Sequence, residues 1–242
     1  MPFELRSQGE ITSLALESLE ERGIRHGFTA RPADFSGPGI DVWTGRFLND
    51  AGASALLLPK QVHGDVVLDM SDPRSLSEKY QGLCLLGEAD AILFPVNREE
   101  TGRLAFGIRT ADCVPVILIG ERLGAVVHAG WRGLATGIIQ RVFERFGDGR
   151  LEAAIGPCAG GERYEVGAEV VEAIGQQAVC KPGSSGRFLL DTAGTAENIL
   201  LECAGSRVKV EKSGICTISD RRFHSYRRDG DESGRSLAFV VI

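Results

Sequence analysis

An α+β fold in a single domain, with mixed β-sheets and packed helices, is what this sequence predicts. Short apolar runs and stretches with a 3.6-residue period follow one another without strict alternation, which disfavours a doubly wound parallel sheet. No linker, repeat or low-complexity stretch divides the 242 residues, and that length can bury a substantial core. Hydrophobic residues at 43% and charged residues at 25% match an ordinary globular chain. Residues 1–242 are therefore read as one domain.

The elements follow in order. Residues 10–21 predict an amphipathic helix, with Ile11, Leu14, Ala15, Leu16 and Leu19 on one face and Glu17, Glu20 and Glu21 on the other. Gly23 stops it, and 24–29 read as a strand carrying His26. Residues 34–39 are a loop by composition, and 42–52 a helix ending at Gly52. Strands are expected at 55–58 and 66–68, with Val62-His63-Gly64-Asp65 between them; the glycine marks a bend or a close approach. Residues 72–87 read as a polar excursion, 89–94 as a strand, 97–102 as a loop and 104–109 as a strand. Two apolar runs, 114–119 and 124–129, are joined by a short polar turn. A helix is predicted over 134–146 from the stripe Leu134, Ile138, Ile139, Val142, Phe143 and Phe146. Beyond it come a strand at 151–156, a glycine-rich turn, a helix within 164–175, a strand at 188–191, a helix at 195–203, and strands at 208–211 and 237–242.

Composition excludes several classes of function. A net charge of −6 argues against a general nucleic-acid binder. No run reaches the roughly eighteen apolar residues of a membrane span, and charges scattered through the first thirty residues argue against a secretory leader. Six widely spaced cysteines with no CxxC pair fit free thiols in a cytoplasmic protein.

With only four histidines in the chain, the place of each is informative. If 114–119 and 124–129 form a hairpin, residue 128 falls opposite 115, and Cys113 lies diagonally from His128 at the same open end. Such neighbours sit about 7–8 Å apart, less with twist, so a thiolate and an imidazole could share a metal ion at the edge of a rigid sheet. His63 is the best third donor, being beside a strand and a bend-forming glycine. Against this stand the plain readings of a packed cysteine and hydrogen-bonded structural histidines.

The segments KQVHGD, RTADCVPVIL, GAVVHAGWRG, IGPC with YEVGAEV, and SGICT with FHSYRRDGDESGR, in this order, resemble one family over residues 55–242. It is the laccase-domain, or multicopper polyphenol oxidase-like, family, associated with purine nucleoside phosphorylase activity. The resemblance implies one zinc ion held by His63, Cys113 and His128. It implies phosphorolysis of adenosine, inosine, guanosine or S-methyl-5'-thioadenosine to the free base and ribose-1-phosphate, and also adenosine deamination. The H-x-E and P-C-x-x-C signature of the usual zinc deaminases is absent. The N-terminal part keeps HGFTARP but has IDVWTGRFLND where the family carries a serine–leucine–asparagine–leucine stretch, so its substrate contacts stay unassigned.

Two residues beside the donors are the expected catalytic pair. Asp112 would hold a ligand's ring N–H or a substrate hydroxyl; its plain reading is a turn cap. Arg132, where a helix opens, would bind phosphate; its plain reading is packing on Trp131 or a surface ion pair. Arg109 and Gln61 could face the site or away from it. The basic run Arg221, Arg222, His224, Arg227 and Arg228 could bind phosphate or be a solvated face. Cys158 reads as a packing residue.

Other chemistries use the same residues. Copper is a second metal that a His₂Cys set can take, which would make the chain a laccase-like polyphenol oxidase, although four histidines are too few for a multicopper cluster. Cys113 and His128 could also serve a cysteine hydrolase acting on a cell-wall precursor; a non-catalytic partner-binding protein fits the clustered polar site poorly. The expected partners are a nucleoside and phosphate, with no nucleic acid or membrane, and the expected assembly is a monomer or weak homodimer.

Overall fold

Strands buried on both faces need cover on both faces, and that requirement sets the layers of this molecule. The computed structural model describes residues 2–72, 76, 80–96 and 103–242. In chain order its elements are β1 (Phe3–Gln8), β2 (Ile11–Leu16), α1 (Glu17–Glu21), β3 (Arg25–Thr29), α2 (Ile40–Ala51), β4 (Ala55–Lys60), β5 (Val67–Asp69), β6 (Gly82–Glu88), β7 (Ala91–Pro95), β8 (Leu104–Thr110), β9 (Val114–Ile119) and β10 (Leu123–Ala129). There follow α3 (Trp131–Thr136), α4 (Ile138–Phe143), β11 (Leu151–Ile155), β12 (Glu165–Val166), α5 (Ala168–Ile174), β13 (Cys180–Pro182), β14 (Phe188–Leu190), α6 (Thr192–Ala204), β15 (Val208–Lys212), α7 (Tyr226–Asp229) and β16 (Ser236–Val241).

Two large mixed sheets carry the fold. One has the order β1-β2-β3-β16-β8-β4-β6 and the other β15-β11-β9-β10-β7-β5; β12, β14 and β13 make a small third sheet. Alternation along the strands assigns the faces. Phe106, Ile108 and Val240 of the first sheet meet Ile117, Ile119 and Val126 of the second in a central core. Val116, Leu118 and Val127 face the opposite way and pack on Ile138 and Val142 of α4 and Ile199 of α6. Leu56, Leu58 and Phe239 turn outward from the first sheet onto Phe47 of α2. The result is helix, sheet, sheet, helix: α+β, as expected.

The predicted hairpin is present, with His128 opposite Pro115 and Ala129 opposite Val114. Other expectations need correction. Residues 10–21 are not one helix, because 11–16 form β2, which pairs with β1 and β3, and only Glu17–Glu21 is helical. The apolar spacing there suits either period, and pairing on both sides decides it. Residues 82–88, read as part of an exposed excursion, form β6 parallel to β4. The predicted helix over 134–146 starts earlier and is cut in two at Gly137, whose φ is 89°. Its apolar stripe is nevertheless buried. The short strand β13 was not foreseen. The loop expected at 97–102 lies outside the described residues, as does part of 72–87.

Candidate metal centre

Three segments distant in sequence converge where β9 begins and β10 ends, at the rim of the second sheet. Cys113 closes the turn before β9. His128 is the next-to-last residue of β10 and is buried. His63 lies in the bend after β4 with a left-handed backbone, φ 59°. The donor atoms of all three lie within 4.8 Å of one another, and the two imidazoles meet edge to face with centroids 4.8 Å apart. The predicted donors are thus brought together.

Gly130 closes one wall. A Cβ there would come to 3.1 Å from Cys113 Sγ and 3.2 Å from His63 Cδ2. A side chain on the backbone leaving β10 would therefore press on the cluster and displace it by a few tenths of an ångström.

Asp90, just before β7 and fully buried, was not singled out from the sequence. Its Oδ1 lies 2.8 Å from Nδ1 of His128. Its carboxylate also accepts the backbone N–H groups of Val62 (3.3 Å), His63 (3.0 Å) and Gly64 (2.7 Å). Burial would raise its pKa, but these bonds, led by that from His128, hold it below the ordinary carboxylate range.

Electrostatics favour a thiolate. Burial opposes ionisation of Cys113, but the charge of His128 and hydrogen bonds from His128 and His63 bring the thiol down to about 6. Burial likewise opposes charge on His128, and Cys113 with Asp90 raise it to about 9. Each residue thus favours the charged form of the other, the thiolate of Cys113 and the protonated ring of His128.

The donor set fits a metal ion. Zinc takes thiolate at about 2.3 Å and imidazole at about 2.0–2.1 Å, and with Nδ1 of His128 engaged by Asp90, Nε2, on the Cys113 side, is the nitrogen left to ligate. A zinc ion held by three protein donors would keep a coordination position for a further ligand, as catalytic zinc sites do.

Asp112 is in a different role from either expected contact. Its Oδ1 accepts the Thr217 hydroxyl and its Oδ2 the Arg227 N–H, both at 2.6 Å. It pins the turn before Cys113 to the C-terminal segment, at φ 84°. The guanidinium of Arg132 sits 4.3 Å above the Trp131 ring, as the packing alternative expected, and the residue remains exposed. Arg227 stacks 4.7 Å over Tyr164. Burial and the nearby Cys113 raise the Tyr164 phenol, and Arg227 and Arg132 oppose them. Tyr164 is therefore close enough to the cluster to feel Cys113, with the Arg227 guanidinium stacked on its ring. The only sequence signal for it was its place in the YEVGAEV segment.

Several of the remaining candidates are engaged within the fold. Gln61 clamps both the N–H and C=O of Arg109 (2.8 and 2.7 Å), joining the end of β4 to β8. His26 and His224 bond to backbone, His26 to Leu16 N–H and Ile24 C=O, His224 to Ala33 C=O. In the basic run, Arg222 pairs with Asp220 and Arg228 with Asp229. Burial pushes the Cys158 thiol up to about 12.

The layers and the cluster together define an α+β protein with a three-donor His₂Cys centre. Residues 44–242 match the family described as multi-copper polyphenol oxidoreductase laccase, and the chain belongs to that family. It is 34% identical over 200 residues to a purine nucleoside phosphorylase of Aquifex aeolicus, covering 81% of this chain and 87% of that protein. A purine nucleoside phosphorylase of Xylella fastidiosa is 40% identical over 149 residues, although the match spans only 55% of its length. A protein of an unknown prokaryote named adenosine deaminase RL5 is 31% identical over 201 residues, 75% of this chain and 72% of that one. In three dimensions the chain resembles Bacillus licheniformis hypothetical protein YfiH, with TM-score 0.80 and 21% identity over 99% of this chain and 98% of the other.

Proposed function

We propose that this chain is a zinc-dependent purine nucleoside phosphorylase, converting adenosine, inosine, guanosine or S-methyl-5'-thioadenosine and phosphate to the free base and the pentose 1-phosphate. The observation that carries the reading is the three-donor cluster, of which His63 is exposed, in a chain up to 40% identical to proteins named purine nucleoside phosphorylase. We read residues 1–242 as one catalytic unit, because β16 lies between β3 and β8 and joins both ends of the chain in one sheet.

His63, Cys113 and His128 would hold the zinc. The ion, when bound, supplies a fixed positive charge and an open coordination position. Arg132, exposed where α3 begins, meets the phosphate and offsets its charge. Tyr164 offers an aromatic face beside the cluster on which a purine can stack. Asp112 keeps Arg227, and with it Tyr164, in place through the Arg227 backbone.

Zinc is favoured over copper by the surroundings of the cluster. A His₂Cys copper site takes a weak axial thioether or similar ligand, and Met70 packs against the central core instead. His26 and His224 are engaged elsewhere, so further copper ions would lack imidazoles.

The test is incubation of zinc-loaded protein with adenosine and phosphate, followed by chromatography. Adenine and ribose-1-phosphate are expected. Inosine formed without phosphate would support the second reading, adenosine deamination, which the likeness to the RL5 protein favours. No turnover of any nucleoside would overturn both. Stoichiometric zinc would exclude a cysteine hydrolase with a free Cys113 thiol.

A further inference from the structure

We infer that Asp90 is the positioning residue that builds the metal centre, presenting two of its three donors through a single carboxylate. The inference rests on the metal reading above and goes beyond the donors themselves.

The geometry carries the argument. His63 and His128 come from segments more than sixty residues apart, and no hydrogen bond joins their side chains directly. Both are bonded to Asp90 instead. One carboxylate collects three successive N–H groups, those of Val62, His63 and Gly64. Such a run around a left-handed residue makes an anion-binding concavity. A non-glycine residue with positive φ persists where its surroundings over-determine it, and His63 is such a residue, at φ 59°. The loop is therefore wrapped on the carboxylate, and the wrapping points His63 at Cys113.

The same carboxylate accepts a hydrogen bond from Nδ1–H of His128. This fixes the ring tautomer and leaves Nε2 as the donor, the arrangement by which an outer carboxylate orients a ligating imidazole. Main-chain bonds hold Asp90 itself: its C=O accepts the His128 N–H at 2.7 Å, and its N–H donates to Val66 C=O at 3.0 Å. The residue is fully buried, so neither phosphate nor nucleoside touches it. It acts only through the histidines.

Asparagine in its place keeps the size but turns one acceptor oxygen into an NH₂ that faces N–H donors. The test is a zinc titration of the full chain against a competing chelator, for wild type, Asp90→Asn, and Phe47→Leu as a destabilised control on the far side of the first sheet. Wild type is expected to bind one zinc per chain. Asp90→Asn is expected to bind about 10–100-fold more weakly, and Phe47→Leu like wild type. Equal affinity in Asp90→Asn and wild type, or equal losses in Asp90→Asn and Phe47→Leu, would overturn the role of Asp90 while leaving the metal reading intact. No zinc in wild type would overturn both. If Asp90→Asn does not fold, nitrogen NMR of the wild-type histidines decides. A protonated Nδ1 and a zinc-shifted Nε2 on His128 are expected, and zinc on Nδ1 refutes the inference.

Discussion

Gly130 stands against Cys113 so closely that a Cβ on the glycine would come to 3.1 Å from the thiol sulfur. Real Cβ atoms rarely approach a neighbour so tightly, and here the neighbour is a proposed ligand. Gly130→Ala is expected to fold, because its φ of −68° suits alanine, yet to weaken zinc binding by about tenfold through a displaced donor. A chelator competition assay reads this, and thermal unfolding separates it from a loss of stability.

Removing a donor should cost more than displacing one. Cys113→Ala is expected to lose stoichiometric zinc and nucleoside turnover together, beyond the 10–100-fold that loss of an outer partner costs. Chelation of wild-type protein should give the same loss, and added zinc should reverse it. Metal analysis beside the chromatographic assay checks both; full zinc in Cys113→Ala would contradict the ligand assignment.

Arg132 is exposed and its guanidinium rests on Trp131. Arg132→Ala is expected to raise the KM for phosphate about tenfold, with the nucleoside KM and the zinc content near wild type. The lost ring contact is worth only about 0.5–1 kcal/mol at an exposed position, so stability should barely change. Steady-state kinetics with each substrate varied in turn make the comparison.

His26 links stability to pH. Burial, together with the nearby Arg6 cation, holds its pKa below 6.5 against the Ile24 C=O and Glu152, which favour the charged form. The unfolded chain therefore takes up this proton near pH 6.5 while the folded chain resists it. Stability from this group is complete above that pH and is lost as pH falls through the folded value. The slope reaches at most about 1.4 kcal/mol per pH unit. Urea midpoints of wild type should drop between about pH 7.5 and about pH 5.5, and His26→Asn should flatten that drop.

The hairpin was legible because its two apolar runs fix their own register, and the facing of His128 and Pro115 follows from the strand period alone. His63 was only suggested, since nothing local says which way a histidine beside a bend turns. Asp90 escaped notice because Ala-Asp-Ala at a strand entrance looks like ordinary edge polarity. Its role arises only when residues 62–64, 90 and 128 meet in space. Asp112 was expected to hold a ligand's ring N–H or a substrate hydroxyl; its carboxylate instead meets Thr217 and Arg227, partners more than a hundred residues away that no local pattern reveals. Residues 10–21 mislead for the opposite reason: their apolar spacing satisfies two periods, and only the flanking strands β1 and β3 select one.

The position of β16 also bears on how the chain is made. It is the strand that joins β3 to β8 in the first sheet, yet the ribosome delivers it after all the others. Until Ser236–Val241 emerges, a nascent chain holds β3 and β8 with their inner edges unpaired. Unpaired edges are where chains cross-associate. Assembly therefore waits on contacts of long sequence separation, which slows folding, and a truncation before Ser236 would leave two open edges rather than a trimmed terminus.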